Sequence, residues 1–561
     1  MEKKFKNIIV LLFITTMVKA QVVSPDTTQQ LPGMKIVLKG TGNVTVNYGK
    51  KIGDDPLFKD SAKIETEVKY EFLDKKAPSN FKVKTIKAPK LRMSEPLVKI
   101  NKRYAAFGVN DFRTAPMAKL SYSTIRNRNY SAGFDMSHFS QQQATGGASD
   151  ALYGNSEVSL YGKKFFEGKL LYGAANYENN TLNFFGFNND QFLQISEKQL
   201  ERGVGRYHVT GGVKSNLKDE TKWGYHVNLD YKALSLDNMA TVEHKVDFNG
   251  SANKYMEWKK YAWFKGVFHM DYSASYLNSG RPGLDHESVL FNLFPSFDLK
   301  LDQMDLKVGA KTFYQTDNKK LNAMAYAEAD FSFVKDVLHI FARFQNDFQR
   351  LSYLDYIYEN PFVANNQNIL NVSTPIDFMG GFKGAFSANS SFSLGLRYRD
   401  FASMPLYYNL ESNPLRQFEI ITDRVENQQI FAEFLHEGKK LNLLARGEYN
   451  TYNVYENEAY QLPEIYMETR LSYKLKDKFV LGTDLFYYGE QLGLKSFDSD
   501  NRPQTIKIDP IFDFNIDFRY NYSDKMGAFL KTNNILNTKH QRWDQYSNFG
   551  FNMLVGVDYN F

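Results

Sequence analysis

The sequence contains no cysteine, so disulfide bonds do not hold its fold and no lipid can be attached through an N-terminal cysteine. After residue 20 it has no apolar run long enough to cross a hydrocarbon core of ~30 Å as a helix. It has only nine histidines, no His-Glu-x-x-His pattern and no Gly-x-Ser-x-Gly pattern. These absences exclude a protein that spans the membrane with helices, and they give no support for a zinc protease or a serine hydrolase.

Two weaker candidates for reactive or metal-binding sites also fail. Ser137 stands beside His138, but neighbouring residues of a strand point to opposite faces, so the two side chains would not meet. Residues 498–501 begin like a calcium loop, yet Arg502 occupies a ligand position and Pro503 replaces the glycine that the turn requires. We therefore expect no catalytic residues, no cofactor and no metal, and we predict that the protein is not an enzyme.

The sequence does contain many aromatic residues, which make up 15% of the chain and include 36 tyrosines and 46 phenylalanines. Its mean hydropathy is nevertheless only −0.47. A transmembrane β-barrel combines these properties, because only every second residue of each strand faces lipid. The net charge of +6 over 561 residues is small, and without a basic helical motif it gives no reason to expect nucleic acid as a partner.

The first twenty residues have the features of a secretory signal peptide. Three lysines precede an uncharged apolar run from residue 8 to residue 17, and Val18 and Ala20 supply the small side chains that signal peptidase requires. The apolar run is too short to span a membrane as a helix. We predict cleavage after Ala20 and export of the remaining chain.

Alternation of apolar and polar residues predicts long strands throughout the chain from about Tyr104 onward. In residues 511–522, Phe512 and Phe518 belong to an apolar series that alternates with Asp513 and Asp517. Period two indicates strands, and strands of ~10 residues match a tilted membrane crossing. A soluble β-sandwich or propeller would also alternate, but its strands average ~5–6 residues. We therefore predict an all-β protein, a transmembrane antiparallel β-barrel of about 22 strands, within a range of 16 to 22.

The connections between the predicted strands alternate in length. Long ones cover residues 178–203, 351–375, 404–417 and 489–506, and short turns lie between them. Bacterial barrels have short periplasmic turns and longer extracellular loops, so we place the long connections outside the cell. We predict the outer membrane of a Gram-negative cell as the location, with outer-membrane lipid as one partner and the barrel-assembly machinery as another during biogenesis.

Residues 21–103 differ from the barrel at residues 104–561. They open with a polar tail, continue with a short β-hairpin and end in a basic strap punctuated by prolines 78, 89 and 96. The strap is either a solvated periplasmic linker or a segment that pairs with acidic groups, such as lumen-facing Asp513 and Asp517 or a partner protein. Its candidate contact residues are Lys75, Lys76, Lys82, Lys84, Lys87, Lys90, Arg92 and Lys99.

Aromatic side chains mark two further candidate sites. Those in the long connections either stack on a sugar or surface partner, or cover the barrel mouth and pack against one another. The candidate extracellular contacts are Phe184, Phe185, Phe187, Tyr353, Tyr356 and Tyr358. At the other end of the chain, Tyr559 and Phe561 in the last strand resemble the terminal signal that barrel-assembly machinery reads in outer-membrane proteins.

The closing segment carries a resemblance to a known family. The run from Lys531 to Lys539, with Asn-Ile-Leu-Asn at residues 534–537, then Trp543 and an aromatic-ended strand, resembles the closing hairpin of TonB-dependent receptors. The strap and the segment from Tyr104 are similar to short TonB-dependent-receptor-like barrels of the Bacteroidetes type. The family's plug is a domain of roughly 100 to 150 residues, so the 83 residues at 21–103 predict that a full plug is lacking.

The resemblance implies passage or uptake of a solute across the outer membrane, with the basic strap as a reduced plug. Because the sequence shows no convincing TonB-contact box near the mature N-terminus, a second function stays open. In that alternative the barrel is a non-transporting subunit of an envelope assembly or secretion complex, held to a periplasmic or outer-membrane protein partner.

Overall fold

The wall of the molecule is an antiparallel β-sheet that closes on itself. The computed structural model describes residues 102–561 apart from 111–114, 125–126, 144–150, 187–196, 217–220, 237–238, 258–264, 281–283 and positions 318, 336, 369, 477 and 501. Within these residues 22 strands form the wall, the number that the alternation predicts. The predicted strap lies outside the described residues.

The wall strands are long, in keeping with a tilted membrane crossing that continues beyond the lipid. They are β1 Arg103–Asn110, β2 Ala115–Ser123, β3 Tyr130–Gln143, β4 Ala151–Phe166, β5 Lys169–Asn183, β6 Glu201–Ser215, β7 Gly224–Leu236, β8 Met239–Glu257, β9 Lys265–Gly280, β10 His286–Lys300, β11 Met304–Gln315, β12 Lys320–Val334, β13 Leu338–Leu351, β14 Leu370–Ser387, β15 Ser390–Tyr408, β16 Glu419–Glu437, β17 Leu441–Val454, β18 Ile465–Leu475, β19 Phe479–Tyr488, β22 Ile511–Asn521, β23 Met526–Asn533 and β26 Asn552–Asn560.

Smaller elements lie in the connections. Two short hairpins stand outside the wall, β20 Gln491–Phe497 with β21 Pro503–Ile508 and β24 Gln541–Trp543 with β25 Tyr546–Ser547. Two short helices, α1 Glu197–Leu200 and α2 Tyr353–Glu359, precede β6 and follow β13. Among the described residues no helix is both long enough and apolar enough to cross a membrane.

The ring closes where the first wall strand pairs with the last. Strand β1 lies antiparallel to β26, with Tyr104 opposite Asn560 and Asn110 opposite Leu554. Every other wall strand pairs with its sequence neighbours, and the pairs β19–β22 and β23–β26 pass over the two small hairpins. The sheet therefore has no free edge, as a membrane barrel requires.

The two faces of the wall differ as the alternation predicts. On β22, Phe512 and Phe518 are exposed on the outer face, whereas Asp513 and Asp517 face the lumen. The register carries this division across neighbouring strands, because Asp517 lies opposite Lys531 of β23. Apolar side chains thus face lipid and polar side chains line the interior.

The two ends of the barrel also differ. At one end, which contains Arg103 and Phe561, the strands are joined by short turns. The turn between β4 and β5 has only two residues, and its Gly168 has φ 73°, a left-handed conformation that favours glycine. Exposed aromatic rings gather at this short-turn end and are typical of an interfacial girdle, including the stacked pair Phe386 and Phe392 with ring centroids 4.6 Å apart.

At the other end lie long connections, including residues 184–200, 352–369, 409–418 and 489–510. The first three are shorter than the alternation predicts, because β5, β14 and β15 extend further than their apolar pattern indicates, whereas the fourth extends beyond the predicted residue 506. The upper parts of these strands rise beyond the lipid, where the outer face no longer needs to be apolar. In these strands the alternation of apolar and polar residues therefore stops several residues before the hydrogen-bonded pairing with the neighbouring strands stops.

Candidate functional site

The long connections meet over the barrel mouth in one buried apolar cluster. We call it the mouth cluster, and its fully buried members are Phe184, Val204, Leu234, Leu236, Tyr353, Tyr356, Ile357, Val363, Tyr407, Phe418, Trp543 and Tyr546. They come from the connections β5–β6, β13–β14, β15–β16 and β23–β26 and from the upper ends of β6, β7 and β15. These parts of the wall lie far apart around the ring, so their side chains touch only because the connections extend over the mouth.

Stacked rings join three of these connections. Phe362 of the β13–β14 connection lies flat on Tyr546 of β25, with ring centroids 3.7 Å apart. Phe185 of the β5–β6 connection meets the same two rings edge-on, at 6.0 Å and 5.1 Å. Such edge-on and offset contacts add about 0.5–1.5 kcal/mol per pair beyond the area that they bury.

Arg202, at the start of β6, holds the β13–β14 connection from below. Its guanidinium donates to the carbonyl oxygens of Pro361 at 2.8 Å and Val363 at 2.6 Å. It also donates to the Tyr353 hydroxyl at 2.5 Å and to Asn365 Oδ1 at 2.7 Å. Arg202 is only 4% exposed, so four charge-assisted hydrogen bonds fix this connection within a space that excludes water.

Helix α2 is anchored to a different part of the wall. Its N-cap is Ser352, whose side chain forms a capping box with Asp355. The carboxylate of Glu243, on β8, accepts hydrogen bonds from the backbone nitrogens of Tyr353 at 3.0 Å and Leu354 at 3.2 Å. A buried carboxylate at the positive end of the helix thus joins the β13–β14 connection to β8.

Two carboxyl groups of the connections lie in the same buried region. Burial raises the pKa of the Glu359 carboxyl, at the end of α2, although the Tyr407 hydroxyl donates to it at 2.9 Å. Burial likewise raises the pKa of the Asp544 carboxyl, between β24 and β25. Ionisation of either group therefore weakens the packing around it.

Below the mouth the lumen wall is polar and rich in ion pairs. Arg397 on β15 binds Asp377 on β14 through two hydrogen bonds of 2.6 Å. Arg446 and Arg470 both bind the buried carboxylate of Glu468. A cavity of about 1080 Å³ lies along the wall from β16 through the closing pair to β4. Its charged lining includes Lys119, Glu157, Arg470, Asp484, Asp517 and Lys531.

The structure places most of the predicted loop aromatics inside the mouth cluster. Phe184, Tyr353 and Tyr356 are buried, and Phe185 packs against them. Tyr358 is 45% exposed and carries the Arg206 guanidinium over its ring at 5.2 Å. Phe187 lies outside the described residues, as do all eight strap residues. Of the two arrangements considered for the loop aromatics, this packing is the one in which they cover the barrel mouth and contact one another.

The last strand and the Asn-Ile-Leu-Asn run are both well defined. Tyr559 and Phe561 lie exposed on the outer face at the short-turn end, with ring centroids 4.7 Å apart. Asn534 and Asn537 have φ of 46° and 50°, which asparagine tolerates better than most residues. The Asn534 amide donates to the carbonyl oxygens of Thr538 and Phe549, so this run turns the chain out of β23 into the mouth.

Sequence reasoning missed Arg202, Glu243 and the stacking partner Tyr546. No local pattern marks them, since each acts on a segment that is distant in the chain. The predicted lumen position of Asp513 and Asp517 agrees with the register of β22. The described residues contain no group of three or more His, Asp or Glu side chains that could hold a metal ion.

Comparison with known proteins shows similarity in fold. No protein-family model matches the sequence, and no curated protein matches it. Among solved structures, the pyoverdine outer membrane receptor FpvA from Pseudomonas aeruginosa superposes with a TM-score of 0.62 at 11% identity, over 83% of this chain and 79% of that chain. The siderophore receptor PirA from Acinetobacter baumannii gives 0.60 at 10% identity, over 83% and 81%.

A third structure, the FrpB iron transporter from Neisseria meningitidis, gives a TM-score of 0.62 at 8% identity, over 83% of this chain and 82% of that chain. Identities this low establish the fold alone. Together with the apolar outer face and the aromatic girdle, the closed 22-stranded barrel is the architecture of a protein of the Gram-negative outer membrane.

Proposed function

We propose that this chain is a TonB-dependent-receptor-like barrel that takes up a solute across the outer membrane, with the mouth cluster as its outer gate. The observation that carries this proposal is a polar lumen with a cavity of about 1080 Å³ beneath a mouth closed by packed connections. The structures it resembles include receptors and an iron transporter. The long connections then face the outside of the cell, where a solute first arrives.

We further propose that the basic strap takes the place of a full plug domain. It contains ten basic residues and one acidic residue between residues 75 and 103, and it leads directly into β1 at the short-turn end. Asp484 and Asp517 line the cavity and form no ion pair with any other described residue. Opposite charges attract, and a cleft lined by carboxylates raises the local concentration of a basic segment, which favours a strap lying along this wall.

Single-channel conductance tests the passage. The full-length protein should be closed in planar bilayers, because the mouth cluster and the strap each obstruct the lumen. Deletion of residues 21–99 together with Arg202→Met should give stable conductance steps, whereas the same deletion with Arg206→Gln should give far fewer. A barrel that stays silent in all these variants, although correctly folded, would contradict solute passage.

A second function is supported by the density of the mouth cluster. Four connections pack over the mouth like the core of a soluble domain, which also suits a barrel that carries no cargo and serves as a subunit of an envelope assembly or secretion complex. Gentle detergent purification of the tagged protein from outer membranes separates the two functions. A stoichiometric partner that is lost on deletion of residues 21–99 would support the complex, and purification of the barrel alone would support passage.

A further inference from the structure

Polar side chains from the wall and from the connections converge in the upper lumen. Arg399 of β15 and Tyr452 of β17 lie on the lumen face, each opposite Asn427 of β16. Arg542 of β24 reaches down from above and donates to Gln491 Oε1 at 2.9 Å. Tyr452 packs against the buried cluster that contains Tyr460, the neighbour of Gln461. Arg542 also donates to the backbone carbonyl oxygen of Gln461 at 3.5 Å. These residues and Gln461, of the β17–β18 connection, form what we call the upper lumen site.

Arg399 is a buried cation that forms no ion pair with any described residue, and its guanidinium lies over the Phe401 ring at 4.5 Å. It is 5% exposed, donates to Asn427 Oδ1 at 3.0 Å and leaves its Nε without a hydrogen-bond partner. Two residues earlier, Arg397 has the opposite arrangement, with both oxygens of Asp377 bound at 2.6 Å. Burying an unpaired charge is costly. The unmatched charge of Arg399 therefore indicates a place for an anion.

The connections add further unmatched donors. Arg542 forms no ion pair with any described residue, and its guanidinium lies over the rings of Tyr488 at 5.3 Å and Trp543 at 4.8 Å. Among the described residues, neither the nitrogen nor the oxygen of the buried Gln461 side-chain amide has a hydrogen-bond partner, and neither does the buried Gln491 Nε2. Buried polar groups are normally hydrogen-bonded, so two free donors and one free acceptor point to a missing ligand that accepts hydrogen bonds and also carries a hydroxyl.

We propose that the upper lumen site binds the oxyanion, carboxylate or phosphate, of a small solute. The guanidinium fork matches the two oxygens of such a group, and the amides of Gln461 and Gln491 supply further donors. Of the two described acids that act on Arg399, Asp377 is bound by Arg397 and Glu448 accepts from Gln429 Nε2 at 2.7 Å, so neither forms an ion pair with Arg399. This inference rests on the proposed uptake function and names the class of solute taken up.

Titration calorimetry in detergent tests the site with three sugars of similar size, on the purified full-length protein and on the variant that lacks residues 21–99 and carries Arg202→Met, whose lumen should be accessible. D-glucuronate carries a carboxylate, glucose 6-phosphate carries a phosphate, and glucose carries neither. One or both anions should bind, and glucose should not. Arg542→Gln should weaken the binding about tenfold to a hundredfold, because a hydrogen bond to a charged group contributes about 1.5–3 kcal/mol. Arg399→Gln should weaken it as well.

The matched control is Arg519→Gln, since Arg519 also faces the lumen but is paired with Asp558 at 2.7 Å. It should change the affinity by less than about twofold. Equal binding of glucose, no binding of either anion because water alone fills the site, or equal losses in the Arg542 and Arg519 variants would each overturn the proposal. Binding that persists in a protein shown not to transport would contradict the uptake function and leave the site intact.

Discussion

Arg202→Met should open the connections over the barrel mouth without unfolding the wall. Methionine occupies a similar volume but cannot donate to Pro361, Val363, Tyr353 or Asn365, so the β13–β14 connection loses all four bonds from the guanidinium and keeps only those that the Tyr353 hydroxyl donates to Val363 and Asn365. A hydrogen bond from a charged donor contributes about 1.5–3 kcal/mol, so the loss of these four bonds should cost about 3 kcal/mol or more. The 22 wall strands keep their ladder, so this cost falls on the mouth cluster.

The expected size of the effect follows from the opening equilibrium. A loss of about 3 kcal/mol raises the open population more than a hundredfold, at 1.4 kcal/mol per factor of ten. When opening is fast relative to cleavage, proteolysis follows that population. Chymotrypsin should therefore cut Arg202→Met about a hundredfold faster within residues 352–369, where Tyr353 and Tyr356 are buried in the native protein. Mass spectrometry of the fragments identifies the cleavage site.

Arg206→Gln is the matched control for this experiment. Arg206 lies on the same face of β6, four residues further along, and its pair with Glu178 at 2.9 Å is partly exposed. Partly exposed pairs contribute about 0–1 kcal/mol, so cleavage should rise less than about fivefold. Equal cleavage rates in the Arg202 variant and the native protein, or an equal rise in both variants, would refute the view that Arg202 fastens the mouth.

Three further predictions concern the wall, the mouth and assembly. Leu160 is 53% exposed on the lipid face, so Leu160→Arg places a charge against lipid. Denaturant titrations should show that it destabilises the barrel by about 2–4 kcal/mol. Ser159→Arg, on the lumen face, should destabilise the barrel much less. Because burial raises the pKa of Glu359, its contribution to stability is fully present below its ordinary pKa and is lost as pH rises through the raised value. Cleavage within residues 352–369, measured relative to a free peptide of the same residues to correct for the pH dependence of the protease, should be slower at pH 4 than at pH 8, and Glu359→Gln should reduce this difference. Phe561→Ala should lower the amount of heat-modifiable barrel in outer membranes, and normal levels would show that this ring is not needed for assembly.

The wall could be predicted from the sequence because the pattern that defines each strand lies within a short segment of the chain. Each strand must place apolar residues toward lipid at every second position, so the series that contains Phe512 and Asp513 already assigns both faces. Closure into a ring then follows from the absence of water in the bilayer, which leaves no place for an unpaired edge. The alternation also allowed the number of wall strands to be predicted.

The mouth could not be predicted in this way. Phe185, Phe362 and Tyr546 are far apart in the chain, and their contacts depend on how four connections fold over the ring. The sequence showed that the loops are aromatic. It could not show whether these rings bind a sugar or surface partner or pack against other rings of the same chain. Arg399 and Arg542 were missed because the absence of a carboxylate partner is visible only in three dimensions.

The pairing of β1 with β26 also has a consequence for biogenesis. The seam of the cylinder joins the first wall strand to the last, so the ring cannot close until the final nine-residue strand is in place. Before then the exported chain presents two unsatisfied strand edges, and such edges recruit other chains into aggregates. A molecule held open at this seam would therefore be prone to aggregation, and the pairing of β1 with β26 closes the whole barrel in one step.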